Sequence, residues 1–166
     1  MHRRHLLFVA LVATSLTACG FKLRSPPNFA FQTIAVTPEK GGAVAVELVR
    51  YLGDIVRPVA PAKGGTPPDV VLDILQELRE KTVVGINASG QVREFQLRIR
   101  LRFRLRSNQG RELIPETEIM QERDISFNES AVLAKEAEEG LLYRDMQTDI
   151  VQQILRRLAA VKTLEP

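Results

Sequence analysis

Few side chains in these 166 residues are spaced to do chemistry, and most of those that are suit the binding of anions. Five arginines, Arg98, Arg100, Arg102, Arg104 and Arg106, recur at every second position. A guanidinium stays charged, and its planar fork meets phosphate or carboxylate through two parallel hydrogen bonds. Five charges of one sign in a row also raise the local potential. The competing reading is a solvated surface whose arginines pair with acidic neighbours, each exposed pair contributing little. Arg93 and Lys135 lie outside this run. On residue type alone, a lone lysine on a helix is an ordinary surface residue. For catalysis the inventory is poor. Cys19 is the only cysteine, which excludes a disulfide framework and a cysteine-based metal site. Both histidines, His2 and His5, precede it. Glu138 and Glu139 are nominal candidates for carboxylate hydrolysis, but adjacent helical residues diverge and do not meet at one substrate atom. We expect no catalytic residue, no metal, no cofactor and no enzymatic activity.

The start of the chain has its own pattern. Arg3 and Arg4, flanked by the two histidines, precede an apolar run from Leu6 to Ala13, and small residues follow to Ala18. That is the layout of a secretory signal. The run is too short to cross a bilayer, which takes about 20 apolar residues. Leu16-Thr17-Ala18-Cys19 resembles the lipobox of bacterial lipoproteins, in which cleavage precedes the cysteine and its thiol carries diacylglycerol. The expectation is removal of residues 1–18, lipidation of Cys19 and tethering to the periplasmic side of a membrane. The alternative is an ordinary secretory signal that ends near a cysteine. Removal takes Arg3 and Arg4 from the 23 Lys and Arg and nothing from the 20 Asp and Glu, leaving 21 against 20. Net charge then says almost nothing about anionic partners, and nucleic acid is not an expected one; charge distribution must carry that argument.

The elements that would position these side chains follow from periodicity. Residues 19–30, with Ser25-Pro26-Pro27-Asn28, read as a tether, residues 31–160 as one α/β domain, and 161–166 as a short tail. Phe31 to Thr37 alternates as a strand and ends at Pro38. Val44, Leu48, Leu52 and Ile55 mark an amphipathic helix stopping before Pro58. Asp69 to Ile86 is ambiguous between helix and strand. We read it as a strand with Val70, Leu72, Ile74 and Leu78 on one face, because Asn87-Ala88-Ser89-Gly90 is a hairpin turn. Phe95 to Arg106 alternates strictly, its apolar residues on one face and the arginines on the other. A weaker strand over Glu116 to Phe127 supplies Glu116, Glu118, Glu122 and Asp124 as partners for the arginines, and Pro115 puts its start at an edge or bend. Ser126-Phe127-Asn128-Glu129 can act as a capping box for a final helix with Leu142, Met146, Ile150, Ile154 and Leu158 along one stripe. The order β-α-β-β-β-α implies a two-layer sandwich, a four-stranded mixed sheet with both helices on one face and the arginines on the other. A right-handed crossover makes the first two strands parallel.

Four stretches carry a family resemblance. Cys19-Gly20-Phe21-Lys22-Leu23-Arg24 resembles the opening of the mature LptE lipoproteins of lipopolysaccharide (LPS) assembly, and Gly90 to Gln96 their hairpin into the central strand. Leu133 to Glu138 with Asp145-Met146, and Ile154 to Leu158, resemble their last helix. The resemblance implies an outer-membrane lipoprotein, anchored on the periplasmic side and seated as a plug inside the large β-barrel LptD. There it helps deliver LPS to the outer leaflet and binds it. Gly20 agrees, since Asp at that place is the usual inner-membrane retention signal. Family LPS contacts lie at the hairpin between the second and third strands and near the start of the last helix. Lys135 matches the second place. The hairpin tip here, Ala88-Ser89, is not cationic, and Arg93 just beyond it can substitute. The LPS-binding candidates are thus Lys135, Arg93, Arg98, Arg100 and Arg102. The alternative is a periplasmic lipoprotein module for another anionic ligand or envelope protein.

Overall fold

A computed structural model describes residues 28–61 and 64–164; the signal segment, Cys19 and the Cys19–Arg24 motif lie outside them, as do residues 25–27 of the tether and 165–166 of the tail. The elements are β1 (Ile34–Thr37), α1 (Ala43–Leu52), β2 (Val70–Ile86), β3 (Val92–Ser107), β4 (Glu112–Ser126) and α2 (Val132–Ala160), with 3-10 turns at Gly53–Ile55 and Glu129–Ala131. The strands lie in the order β1-β2-β3-β4. β1 is parallel to β2, from Ile34 opposite Val70 to Thr37 opposite Asp73. The β2–β3 and β3–β4 pairs are antiparallel. This is the expected two-layer mixed sandwich.

The core forms where the alternating face of β3 meets the stripe of α2. Leu97, Ile99, Leu101, Phe103 and Leu105 are fully buried, as are Met146, Ile150, Ile154 and Leu158. Val44, Leu48 and Leu52 of α1 close the same layer. β2, at 17 residues, is roughly 55 Å long, so the hairpin it forms with β3 extends well past the four-residue β1.

Several boundaries differ from expectation, each for a local reason. β1 begins at Ile34 rather than Phe31 because the Gln32 and Thr33 N–H groups donate to the Asp69 carboxylate, at 2.8 and 2.9 Å, while Phe31 stacks on Phe29. In β2 the register shifts between Ile74 and Gln76, leaving Leu75 as an extra, exposed residue. The bulge moves Leu78 off the face of Val70, Leu72 and Ile74, to a place opposite Arg100. β4 begins at Glu112, and Pro115 sits inside it at a second register shift, tolerable because β4 is an edge strand. The expected capping box does not form. Asn128 caps the helical entry by accepting from the Ser130 N–H at 3.0 Å, and Ser126 Oγ instead takes the Lys135 ammonium. α1 is capped from the sheet: the Val44 N–H donates to the Glu77 carboxylate at 3.2 and 3.3 Å, and any Cβ at Gly42 would collide with that carboxylate.

Candidate functional site

The face of the sheet without helices carries the five arginines, and every one of them has an anionic or polar partner. Arg104 Nε and Arg106 Nε both donate to Asp73 Oδ2 at 2.9 Å, and Thr37 Oγ1 donates to Asp73 Oδ1 at 2.8 Å. Arg102 donates to Gln76 Oε1 and Glu116 Oε1, at 2.9 and 2.8 Å. Arg100 grips Glu80 with two bonds of 3.2 and 2.7 Å, and Arg98 reaches Gln96 at 2.7 Å and Glu122 at 3.3 Å. The acidic partners come from both neighbouring strands. Those on β4 were legible in the sequence; those on β2 arrive because the Leu75 bulge turns Gln76, Leu78 and Glu80 onto this face. Counting residues back from the Asn87 turn would have put Glu80 beside the arginines, and that is the signal sequence reasoning missed.

Titration follows from the pairing. Burial alone would raise the Asp73 carboxyl, but hydrogen bonds from Arg106, Thr37 and Arg104 outweigh it and hold the group below the ordinary carboxylate range. The hydrogen bond from Arg100 likewise lowers Glu80, and Glu80 raises Arg100 in return. The five guanidiniums share their face with Asp73, Glu80, Glu116, Glu118, Glu122 and Asp124. The ladder is therefore close to neutral as a whole, and a phosphate approaching it must displace a carboxylate already in place.

Lys135 lies elsewhere. It projects from the first turns of α2 into a cavity of about 220 Å³ on the helix side of the sheet, among Lys81, Phe95, Ile125, Phe127 and Glu139. Its ammonium donates to Ser126 Oγ at 2.9 Å and to Glu138 at 2.8 Å. Lys81 meets Glu139 at 2.6 Å, 4.3 Å above the Phe95 ring. Burial, then the nearby Glu139, raises the neighbouring Tyr143 hydroxyl, which donates to the Glu80 carbonyl at 2.8 Å. Arg93 is exposed at the same end; its carbonyl accepts from the Phe127 N–H, and among the described residues its guanidinium meets Gln91, at 3.4 Å. Lys135 and Arg93 thus flank one region, with Phe127 between them. Arg98, Arg100 and Arg102, grouped with Lys135 in the sequence reading, stand on the opposite side of the sheet. The five candidates are not one site.

The arrangement suits binding by shape and charge. Among the described residues no group of three or more His, Cys, Asp or Glu side chains is placed to hold a metal, and no helix is long and apolar enough to cross a membrane.

Comparisons with known proteins fit this geometry. The profile of the LptE family, lipopolysaccharide-assembly, matches residues 31–158. Among solved structures, an uncharacterized lipoprotein B from Nitrosomonas europaea is 36% identical, with a TM-score of 0.69 over 85% of this chain and 91% of that one. The rare lipoprotein B from Shewanella oneidensis is 22% identical (TM-score 0.59, 77% and 92% covered). A minor lipoprotein from Acinetobacter baumannii is 20% identical (TM-score 0.59, 80% and 94% covered). At those two identities the likeness concerns the fold alone. The curated proteins contain no match.

Proposed function

Because the chain belongs to the LptE family of lipopolysaccharide-assembly lipoproteins, we propose that it is lipidated on Cys19, sits on the periplasmic side of the outer membrane as a plug in the LptD barrel, and binds LPS as it helps deliver it to the outer leaflet. The observation that carries this reading is the extent of the family match. It runs from before β1 to the last turn of α2 and so takes in the whole folded domain. The family is one of assembly factors rather than enzymes, which accords with a mature chain that has no histidine.

Within this reading the phosphate contact belongs to the end of the domain that carries Arg93 and Lys135. Arg93 is the candidate with no carboxylate within ion-pair distance among the described residues. The ladder of Arg98, Arg100 and Arg102 is a cross-strand zipper that holds three long strands in register. Detergent extraction and pull-down of the tagged chain tests the partner: a stoichiometric large β-barrel is the expected result. A chain that purifies alone, or with other envelope proteins, would favour the alternative of a periplasmic module for a different anionic ligand.

A further inference from the structure

The two ends of the domain differ in charge. One end is where the described chain starts: Asn28 to Thr33 run beside Asp69, whose carbonyl accepts from the Asn108 N–H of the β3–β4 turn. α1 also finishes there, since the Arg57 N–H donates to the Ile34 carbonyl at 2.8 Å. α2 finishes there as well, with Arg157, Val161 and Lys162 against Leu113, Ile114 and Pro115 of β4. The described segments that meet at this end, residues 28–33, 57–61, 64–68, 107–111 and 161–164, contain no Asp or Glu. They contribute Arg57, Arg111 and Lys162, and the last turn of α2 adds Arg157.

None of these four cations has a carboxylate within ion-pair distance among the described residues. The nearest acids in sequence, Asp54, Asp69 and Glu112, leave them free, and Asp69 is occupied by the Gln32 and Thr33 N–H groups. The Arg57 guanidinium donates to the carbonyls of Asp54 and Val56. Arg157 Nη1 is buried with no hydrogen-bond partner, beside a groove of about 440 Å³ whose other walls are Leu113, Ile114, Pro115, Val161 and Lys162. The same guanidinium lies over the Phe103 ring at 5.8 Å, and a groove that is apolar with cations at its rim suits a phosphate that carries acyl chains. The opposite end is mixed: Arg93 stands beside Glu94, Glu129 and Glu136, while Lys81 and Lys135 are paired with Glu139 and Glu138.

We infer that the end formed by Arg57, Arg111, Arg157 and Lys162 docks on anionic phospholipid headgroups of the bilayer that holds the chain. The inference rests on the lipidation reading. Cys19 precedes Asn28 by nine residues, so the tether spans at most about 30 Å, and this end of the domain cannot leave the neighbourhood of the headgroups. Attraction to an anionic surface multiplies binding by about fivefold per basic side chain near it, within a Debye length of about 8 Å at physiological ionic strength. The Arg93–Lys135 end, at the other end of the long β2–β3 hairpin, would then lie farthest from these inner-leaflet headgroups, on the side of the outer leaflet when the domain is seated in a barrel.

The test uses the full chain, with acylation of Cys19 read first by mass spectrometry. A cysteine introduced as Gln109→Cys, in the β3–β4 turn, is labelled with a fluorophore, and a Ser89→Cys label at the far hairpin serves as reference. The protein is anchored in vesicles of phosphatidylcholine alone, or of equal parts phosphatidylcholine and phosphatidylglycerol. Shielding of the Gln109→Cys label from aqueous iodide is expected only with phosphatidylglycerol. High salt should reverse it, and Arg57→Glu/Arg111→Glu/Lys162→Glu should abolish it, lowering the docked-to-free ratio by at least about a hundredfold, since each reversal also adds a repelling charge. A thermal melt confirms that the triple variant is folded. The reference label should stay accessible throughout. Equal quenching in both vesicles on an acylated chain overturns the docking alone, and so does shielding that appears only when a barrel partner is present. A chain with no acyl group overturns the lipidation reading instead.

Discussion

Replacing Asp73 with asparagine is the most direct trial of the zipper. Asp73 is 8% exposed and receives Arg104 Nε and Arg106 Nε at 2.9 Å and Thr37 Oγ1 at 2.8 Å. It ties β1, β2 and β3 together at the end where β1 stops. A hydrogen bond to a charged group contributes about 1.5–3 kcal/mol, and the substitution weakens two of them. Both arginine side chains keep contact with water, at 44% and 29% exposure, and recover part of the loss by solvation. The expected cost is about 2–3 kcal/mol near neutral pH. Because the folded carboxyl titrates below its unfolded value of about 3.9, its contribution is complete above about pH 4 and is lost as pH falls through the folded value. Urea unfolding of both proteins across that range should show a constant gap at neutral pH that closes in acid. A gap below about 0.5 kcal/mol, or one that persists unchanged at low pH, refutes the reasoning, because the arginines would then be solvated independently of Asp73.

Three further outcomes are expected. Leu101→Asp puts a charge at a fully buried place on β3 and should cost more than about 4 kcal/mol, whereas Arg102→Asp on the opposite face should stay within about 1 kcal/mol; equal losses in a thermal melt would mean that the strand is not two-faced. Cys19→Ser should abolish incorporation of labelled fatty acid, and retained label would sink the lipobox reading. Arg93→Glu with Lys135→Glu should weaken LPS binding most at low salt, where screening is least, while Arg98→Glu with Arg100→Glu leaves it nearly unchanged; the reverse pattern in one binding assay would return the phosphate contact to the ladder.

Much of this protein is legible in its sequence because period-two and near-period-four patterns are properties of single elements. The alternation from Phe95 to Leu105 is enough to assign β3 a buried and a polar face, since a strand's side chains must point to opposite sides. The stripe from Met146 to Leu158 is enough to find the buried side of α2. The order of elements then leaves few ways to cover a four-stranded sheet. The extent of the lipidation and family motifs is likewise local text.

What only the tertiary structure decided is which charges meet. A strand's polar face has no partners of its own; they come from the register of its neighbours, and one extra residue at Leu75 moves Gln76, Leu78 and Glu80 to the opposite face. That single bulge supplies Glu80 to Arg100 and makes the ladder a nearly neutral zipper. Asp69 and Asn128 act in the same way, taking up backbone N–H groups that local patterns had assigned to a longer β1 and to Ser126. The separation of Lys135 from the arginines also needed the third dimension. Both are simply cations in the sequence, but an α/β layer puts its helices on one side of the sheet, and a charge on the helix side cannot join a charge on the bare side at one ligand.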